Sequence, residues 1–96
     1  MTDGTTPGPT LEDLEGEQVI LDVDGPFIYI GTLSGVGEKV LVLTEADVHF
    51  CSDSESTTEY YLLETRKNEV RPNRSVVYVM RDKVVSVSRL DDIKVY

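Results

Sequence analysis

Hydrophobic and polar positions alternate through two blocks of the chain, 17–46 and 75–93, and lose that rhythm between them. In the first block Val19, Leu21 and Val23 share one face, while Gln18, Asp22 and Asp24 are polar. A period of two predicts a strand with one buried side. Asp24-Gly25-Pro26 breaks the pattern as a turn. Phe27–Leu33, rich in aromatic and β-branched residues, predicts a second strand. Gly31 within it predicts a sharp bend or a close backbone approach. Ser34-Gly35-Val36-Gly37 reads as a flexible connection to a third strand that begins at Lys39–Leu43. In the second block, Ser75–Met80 and Val84–Leu90 predict two strands joined by a tight turn, Arg81-Asp82-Lys83.

The stretch between the blocks is harder to place. The polar run 52–58 reads as a loop tip, and Glu59–Thr65 as a strand pairing with Asp47–Cys51 in a long hairpin. Arg66–Ser75 is a basic connection with Pro72-Asn73 as its turn. At the other end, residues 1–9 are small, polar and rich in Gly and Pro, which predicts a disordered tail. Thr10 followed by Asp13 has the spacing of a capping box, Leu11 and Leu14 share a face, and Gly16 offers a stop. One short helical turn is expected there. No repeat and no long helix is evident, so an all-β small barrel over residues 10–96, capped by that short helix, is the expected assembly.

Composition narrows the picture. A chain of 96 residues has room for one domain. It buries roughly two thirds of its unfolded surface, so its stability is expected to lean on partner subunits. No apolar run approaches the ~20 residues that span a bilayer, and MTDGTTPGPT has neither the basic nor the apolar part of a secretory signal. The lone Cys51 excludes an intramolecular disulfide and a cysteine-built metal site. A cytoplasmic home is expected. The net charge of −9 is uneven: residues 1–65 carry one base, Lys39, against fourteen acids, whereas 66–96 carry eight bases against four acids. So acidic a chain makes poor general contact with phosphate. Arg66, Lys67, Arg71, Arg74, Arg81 and Lys83 nonetheless form a basic segment. It either makes a local patch or pairs with acids of the same or a neighbouring subunit.

The order of short helix, three strands, variable segment and two strands resembles the Sm and LSm family. Gly25 stands at that family's first hairpin glycine, Gly31-Thr32-Leu33 resembles its Gly-x-Leu, and Leu43 and Ala46 match its closing apolar positions. Val79-Met80-Arg81-Asp82 occupies the place of its Ile-Arg-Gly motif, with Val84 and Val87 following at matching spacing. The resemblance implies a small, strongly bent five-stranded barrel, here with an extended hairpin in the variable region. It also implies homo-oligomeric rings of five to seven subunits, closed by the fourth strand of one subunit pairing with the fifth of the next. Such pairing disposes of open sheet edges. Val76, Val77, Val79, Val84, Val85 and Val87 are the expected interface, being apolar on both strand faces.

The same resemblance implies single-stranded RNA as a partner: in the family, a stacking side chain and an asparagine in loop three hold the base, supported by an arginine in loop five. Here Gly35–Leu41 contains no aromatic and no asparagine, and Glu38 repels phosphate; only Arg81 matches. The uridine pocket is therefore expected to be lost. Arg81 is left as an RNA contact or as an inter-subunit ion-pairing or hydrogen-bonding residue. Two roles follow from this. One is a ring-forming assembly or scaffold module; the other is an atypical RNA-binding ring using Lys39, Arg66, Lys67, Arg71, Arg74 and Arg81.

Three constellations imitate catalytic or metal sites. Val19–Gly25, with Asp22 and Asp24, resembles the nucleophile motif of haloacid-dehalogenase-like phosphatases, and Asp91-Asp92 their acidic pair. That chemistry needs an α/β domain with helices between strands, for which the chain has no room. Asp22, Asp24 and Gly25 also start like a calcium loop, but the later ligands are missing. His49 and Cys51 alternate on one strand, and two ligands fall short of a metal site. No enzyme, cofactor, metal or small-molecule substrate is expected.

Overall fold

The computed structural model describes residues 8–51 and 55–94. Most of the expected tail (1–7) and the 52–54 part of the loop tip lie outside them. Thr10 opens a 3-10 turn, Leu11–Leu14, by donating its N–H to Asp13 Oδ2 at 2.9 Å. Leu11 and Leu14 from that turn pack on the core of a five-stranded sheet. Its strands are β1 (Gln18–Val23), β2 (Phe27–Val36), β3 (Val40–Phe50), β4 (Arg74–Met80) and β5 (Val84–Arg89). They lie in the order β4-β3-β2-β1-β5 with every neighbouring pair antiparallel.

The segment expected to be a flexible connection is instead strand. β2 continues through Ser34 and Gly35 to Val36, because a register shift lets Gly35 sit opposite Val42, and the turn shrinks to 37–39. Ser34 Oγ and Thr44 Oγ1, 2.6 Å apart, tie the extended part together. The predicted bend is at Gly31. Between Ile30↔Asp47 and Thr32↔Thr44, β3 holds one residue more than β2, so two of its residues oppose Gly31. Glu45 takes φ 47° to make this bulge. A Cβ on Gly31 would come within 3.0 Å of Ala46 Cα and Cβ, which excludes any larger residue there without backbone movement.

The extended hairpin of the variable region is absent. Glu59–Thr65 lies inside a 14-residue helix, α1 (Glu55–Asn68), and nothing from it pairs with Asp47–Cys51. The β-forming residues of this run are overruled by burial. Tyr61, Leu62 and Thr65 fall on one side of the helix at helical spacing, with Leu62 and Thr65 buried. Arg66 and Lys67 in its last turn suit the helix dipole. The Glu69 N–H closes the end by donating to the Thr65 carbonyl at 2.9 Å, with Glu69 at φ 78°.

Two apolar clusters result. Val19, Leu21, Leu33, Leu41, Leu43, Ala46 and Val79 fill the inside of the bent sheet. Ile20, Ile28 and Ile30 lie in a second cluster with Cys51, Leu62 and Leu90. The sheet does not close on itself: β4 and β5 are its two edges and do not pair with each other.

Candidate functional site

β4 pairs with β3 so that Met80 faces Val40, which delivers the next residue, Arg81, onto the β2–β3 turn. There its backbone N–H donates to the Lys39 carbonyl at 2.8 Å, and Nη1 donates to the Gly37 carbonyl at 2.7 Å. Arg81 thus braces the turn from across the sheet of its own subunit, not across an interface. Glu38, Lys39, Met80, Arg81 and Asp82 line an open depression of about 530 Å³ beside it. Among the described residues its walls are charged and aliphatic.

Either side of this turn run the two edges. On β4, Val77 and Val79 turn toward the core, while Val76, Tyr78 and Met80 face outward, Tyr78 being 65% exposed. On β5, Val84 and Val87 pack against the core and Val85 is 74% exposed. Val84, Val85 and Val87 join Leu11, Leu14 and Leu41 around a groove of about 440 Å³ between the 3-10 turn and β5, with Asp13 and Arg81 also on its wall. The valines expected at an interface therefore divide between the core and two open strands.

The basic residues do not gather into one patch. Lys39 and Arg81 meet at the turn, while Arg71 and Arg74 lie at the far end of β4. Seven residue steps along the strand separate Arg74 from Arg81, roughly 23 Å. Arg66 and Lys67 belong to the last turn of α1. The Arg66 Nε is buried without a hydrogen-bond partner among the described residues.

A polar latch that sequence reasoning missed holds α1 to the sheet. Tyr61 donates its hydroxyl to Asp47 Oδ2 at 2.5 Å, and Asn73 Nδ2 donates to Asp47 Oδ1 at 3.1 Å. Asn73 also mimics a strand partner for Val48: its Oδ1 accepts the Val48 N–H and its Nδ2 donates to the Val48 carbonyl. Burial, then the Asp47 carboxylate, push the Tyr61 phenol well above its ordinary range. His49 stacks on Tyr61 with ring centres 3.8 Å apart, and Cys51 is buried in the second cluster. The signal for this cluster was the alternation of Asp47 and His49 on one face of β3 opposite a tyrosine pair. Among the described residues no three potential metal ligands come together. Asp22 accepts a hydrogen bond from Ser86 Oγ at 2.9 Å, as part of the β1–β5 contact.

No family model and no curated protein sequence matches the chain. Solved structures do. An Sm protein of Pyrococcus abyssii, in complex with a uridine heptamer, superposes with a TM-score of 0.56 over 82% of this chain and 90% of that one, at 16% identity. The fold is Sm-like. A chain of the NatC complex bound to CoA also superposes, with a TM-score of 0.56, 19% identity and 91% coverage of each chain. Within the Sm-like frame, Gly37–Lys39 and Arg81–Lys83 are the turns that stand at loops three and five.

Proposed function

We propose that this chain is an Sm-like ring-forming subunit, an assembly or scaffold module of the cytoplasm rather than an enzyme. The observation that carries this reading is the pair of unpaired, apolar-faced edges, β4 and β5. An open edge of this kind is a template for another strand. Pairing of the β4 edge of one copy with the β5 edge of the next is heterologous and closes into a ring when the rotation allows. Five to seven copies are expected from the resemblance. The interface would run along Val76, Val77 and Val79 of one copy and Val84, Val85 and Val87 of the next. Uridine recognition is not expected, since the turn beside Arg81 offers Val36, Glu38, Lys39 and Val40 in place of an aromatic and an asparagine.

Native mass spectrometry of the untagged full chain tests this. A discrete five- to seven-fold assembly free of nucleotide mass supports it, and a monomer at all concentrations overturns it. Micromolar or tighter binding of a uridine oligomer in moderate salt would overturn the loss of the pocket. A second reading, an atypical RNA-binding ring, draws on Arg71 and Arg74, which are exposed and make no ion pair among the described residues. On that reading, Arg71→Glu with Arg74→Glu abolishes RNA binding and leaves the ring intact.

A further inference from the structure

Leu41 and Leu43 turn into the inner core, so Val40, Val42 and Thr44, which alternate with them on β3, turn outward. β4 sets Met80, Tyr78 and Val76 opposite these three, and cross-strand partners share a face. The outcome is a strip that is apolar except for Thr44 and the Tyr78 hydroxyl. Gly35 stands opposite Val42 from β2 and leaves a notch there: a Cβ on it would lie 3.3 Å from Val42 Cγ2. Past the Gly31 bend the same outward face is covered, because α1 lays Leu62 in the cluster with Ile20, Ile28 and Ile30. Over β3 and β4 it is bare among the described residues, with Val76 44%, Tyr78 65% and Met80 50% exposed. We infer that this strip is a docking surface for an amphipathic helix of a partner protein, seated with its largest apolar side chain in the notch at Gly35.

Size, backbone chemistry and charge together select that occupant. The apolar area is on the order of 300 Å², the scale of a functional patch on a monomer. Each partner of a standard interface buries about 800 Å², so a second copy laid face to face would be held too weakly, whereas a short segment fits. From Val76 to Met80 the strip runs four residue steps, roughly 13 Å, a length that about nine residues of helix span. An extended segment lying over side chains would leave its N–H and C=O groups unpaired, while a helix pairs its own. At the Met80 end Glu38 and Asp82 offset Lys39 and Arg81, and at the Val76 end Glu45 offsets Arg74. The next bases along the chain lie elsewhere. The Lys83 carbonyl accepts the Asp24 N–H beside β1, and Arg71 lines a pocket with Asp47 and Tyr61. A face without net charge draws in neither nucleic acid nor an anionic membrane. Pairing at a strand edge uses main-chain groups and leaves these side chains where they are, so docking here is independent of the ring.

A displayed library of random peptides about 16 residues long, selected against the full chain, supplies the probe. Enriched peptides are expected to carry apolar residues at i, i+3 or i+4, and i+7, and to become helical on binding. Their micromolar affinity should stay the same between about 0.05 M and about 0.5 M salt. Tyr78→Ser and, separately, Val42→Ser should each weaken binding at least about tenfold, with the circular dichroism of the fold unchanged. Val85→Ser, on β5, should leave binding as it is. A library that yields no binder overturns the inference. So do peptides that alternate with period two, or an affinity indifferent to both Tyr78 and Val42. A Tyr78→Ser chain that sediments as a smaller assembly than the wild type assigns the face to a second copy, and the helix reading falls. A wild-type chain that is monomeric yet binds the peptides through Tyr78 and Val42 removes the ring and leaves the docking surface standing.

Discussion

Val19 and Leu21 look into one core, and Ile20 between them looks into another. The two clusters are built differently. The inner one draws side chains from all five strands and from the 3-10 turn, so the bent sheet largely closes it by itself. Among the described residues the outer one draws three isoleucines from the sheet, and its other walls come from Cys51, α1, Val70, the 3-10 turn Leu90–Asp92 and Ile93. A core closed by its own sheet fails only when the sheet fails. A core closed by an added cover can lose the cover first.

Truncation at the inner core should have the largest effect. Leu43 is fully buried on β3, the strand that joins β2 to β4. Leu43→Ala is expected to cost about 3–5 kcal/mol and to lower protection of amides across the whole sheet, as measured by hydrogen exchange with urea denaturation. Leu62→Ala empties the outer core instead. It should cost about 2–3 kcal/mol, because the partly exposed helix can settle into the space. Here exchange should rise first along α1, with the β1–β2 and β2–β3 amides still protected. Equal loss of protection everywhere would show that the two cores are one cooperative unit.

The difference between the cores also explains what was legible in advance. The inner core follows from period-two alternation: β1, the starts of β2 and β3, β4, β5, the bend at Gly31 and the short amino-terminal turn could be read from the residues, whereas Ser34–Val36 reads locally as a connection and Asp47–Cys51 as half of a different hairpin. The outer core had a signal too, in Val19-Ile20-Leu21 and Ile28-Tyr29-Ile30, where apolar residues occupy both faces of a strand. A strand apolar on both faces needs a cover on each, and the cover had to come from the segment between the blocks. That segment reads EYYLLET, whose tyrosines and threonine favour a strand locally, so the helix is visible only once its docking partners are known. At the candidate site, β4 and β5 were legible as strands, while the Asp47–Tyr61–Asn73 latch was not, because it joins three elements distant in sequence.

That latch sharpens the comparison through pH. Tyr61 holds its proton in the folded state to a pH well above that of an exposed phenol. Its contribution to stability is therefore whole below the unfolded phenol's pKa, near 10, and is lost as pH rises beyond it, when the unfolded chain ionises first. Tyr61→Phe should flatten that alkaline decline in thermal melts and cost about 1 kcal/mol at neutral pH for the hydrogen bond. Release of α1 alone at high pH, seen by exchange, would place the latch with the outer cover. Loss of the sheet in the same transition would deny the distinction.

The smallest effects are expected at Glu45 and Glu69, the non-glycine residues with positive φ among the described residues, one serving each core. Glu45 forms the bulge that folds β3 over Gly31, and Glu69 ends the helix that covers the outer cluster. A side chain in the left-handed region costs about 1–2 kcal/mol, and glycine returns about 0.5–1 kcal/mol of that through its looser unfolded chain. Glu45→Gly and Glu69→Gly should each stabilise by a net ~0.5 kcal/mol. The gain should appear at different places: Glu45→Gly slows exchange in the sheet, Glu69→Gly in α1 alone. A gain from Glu69→Gly spread evenly over the sheet would mean that cover and barrel open together. The helix would then be an integral wall of the fold.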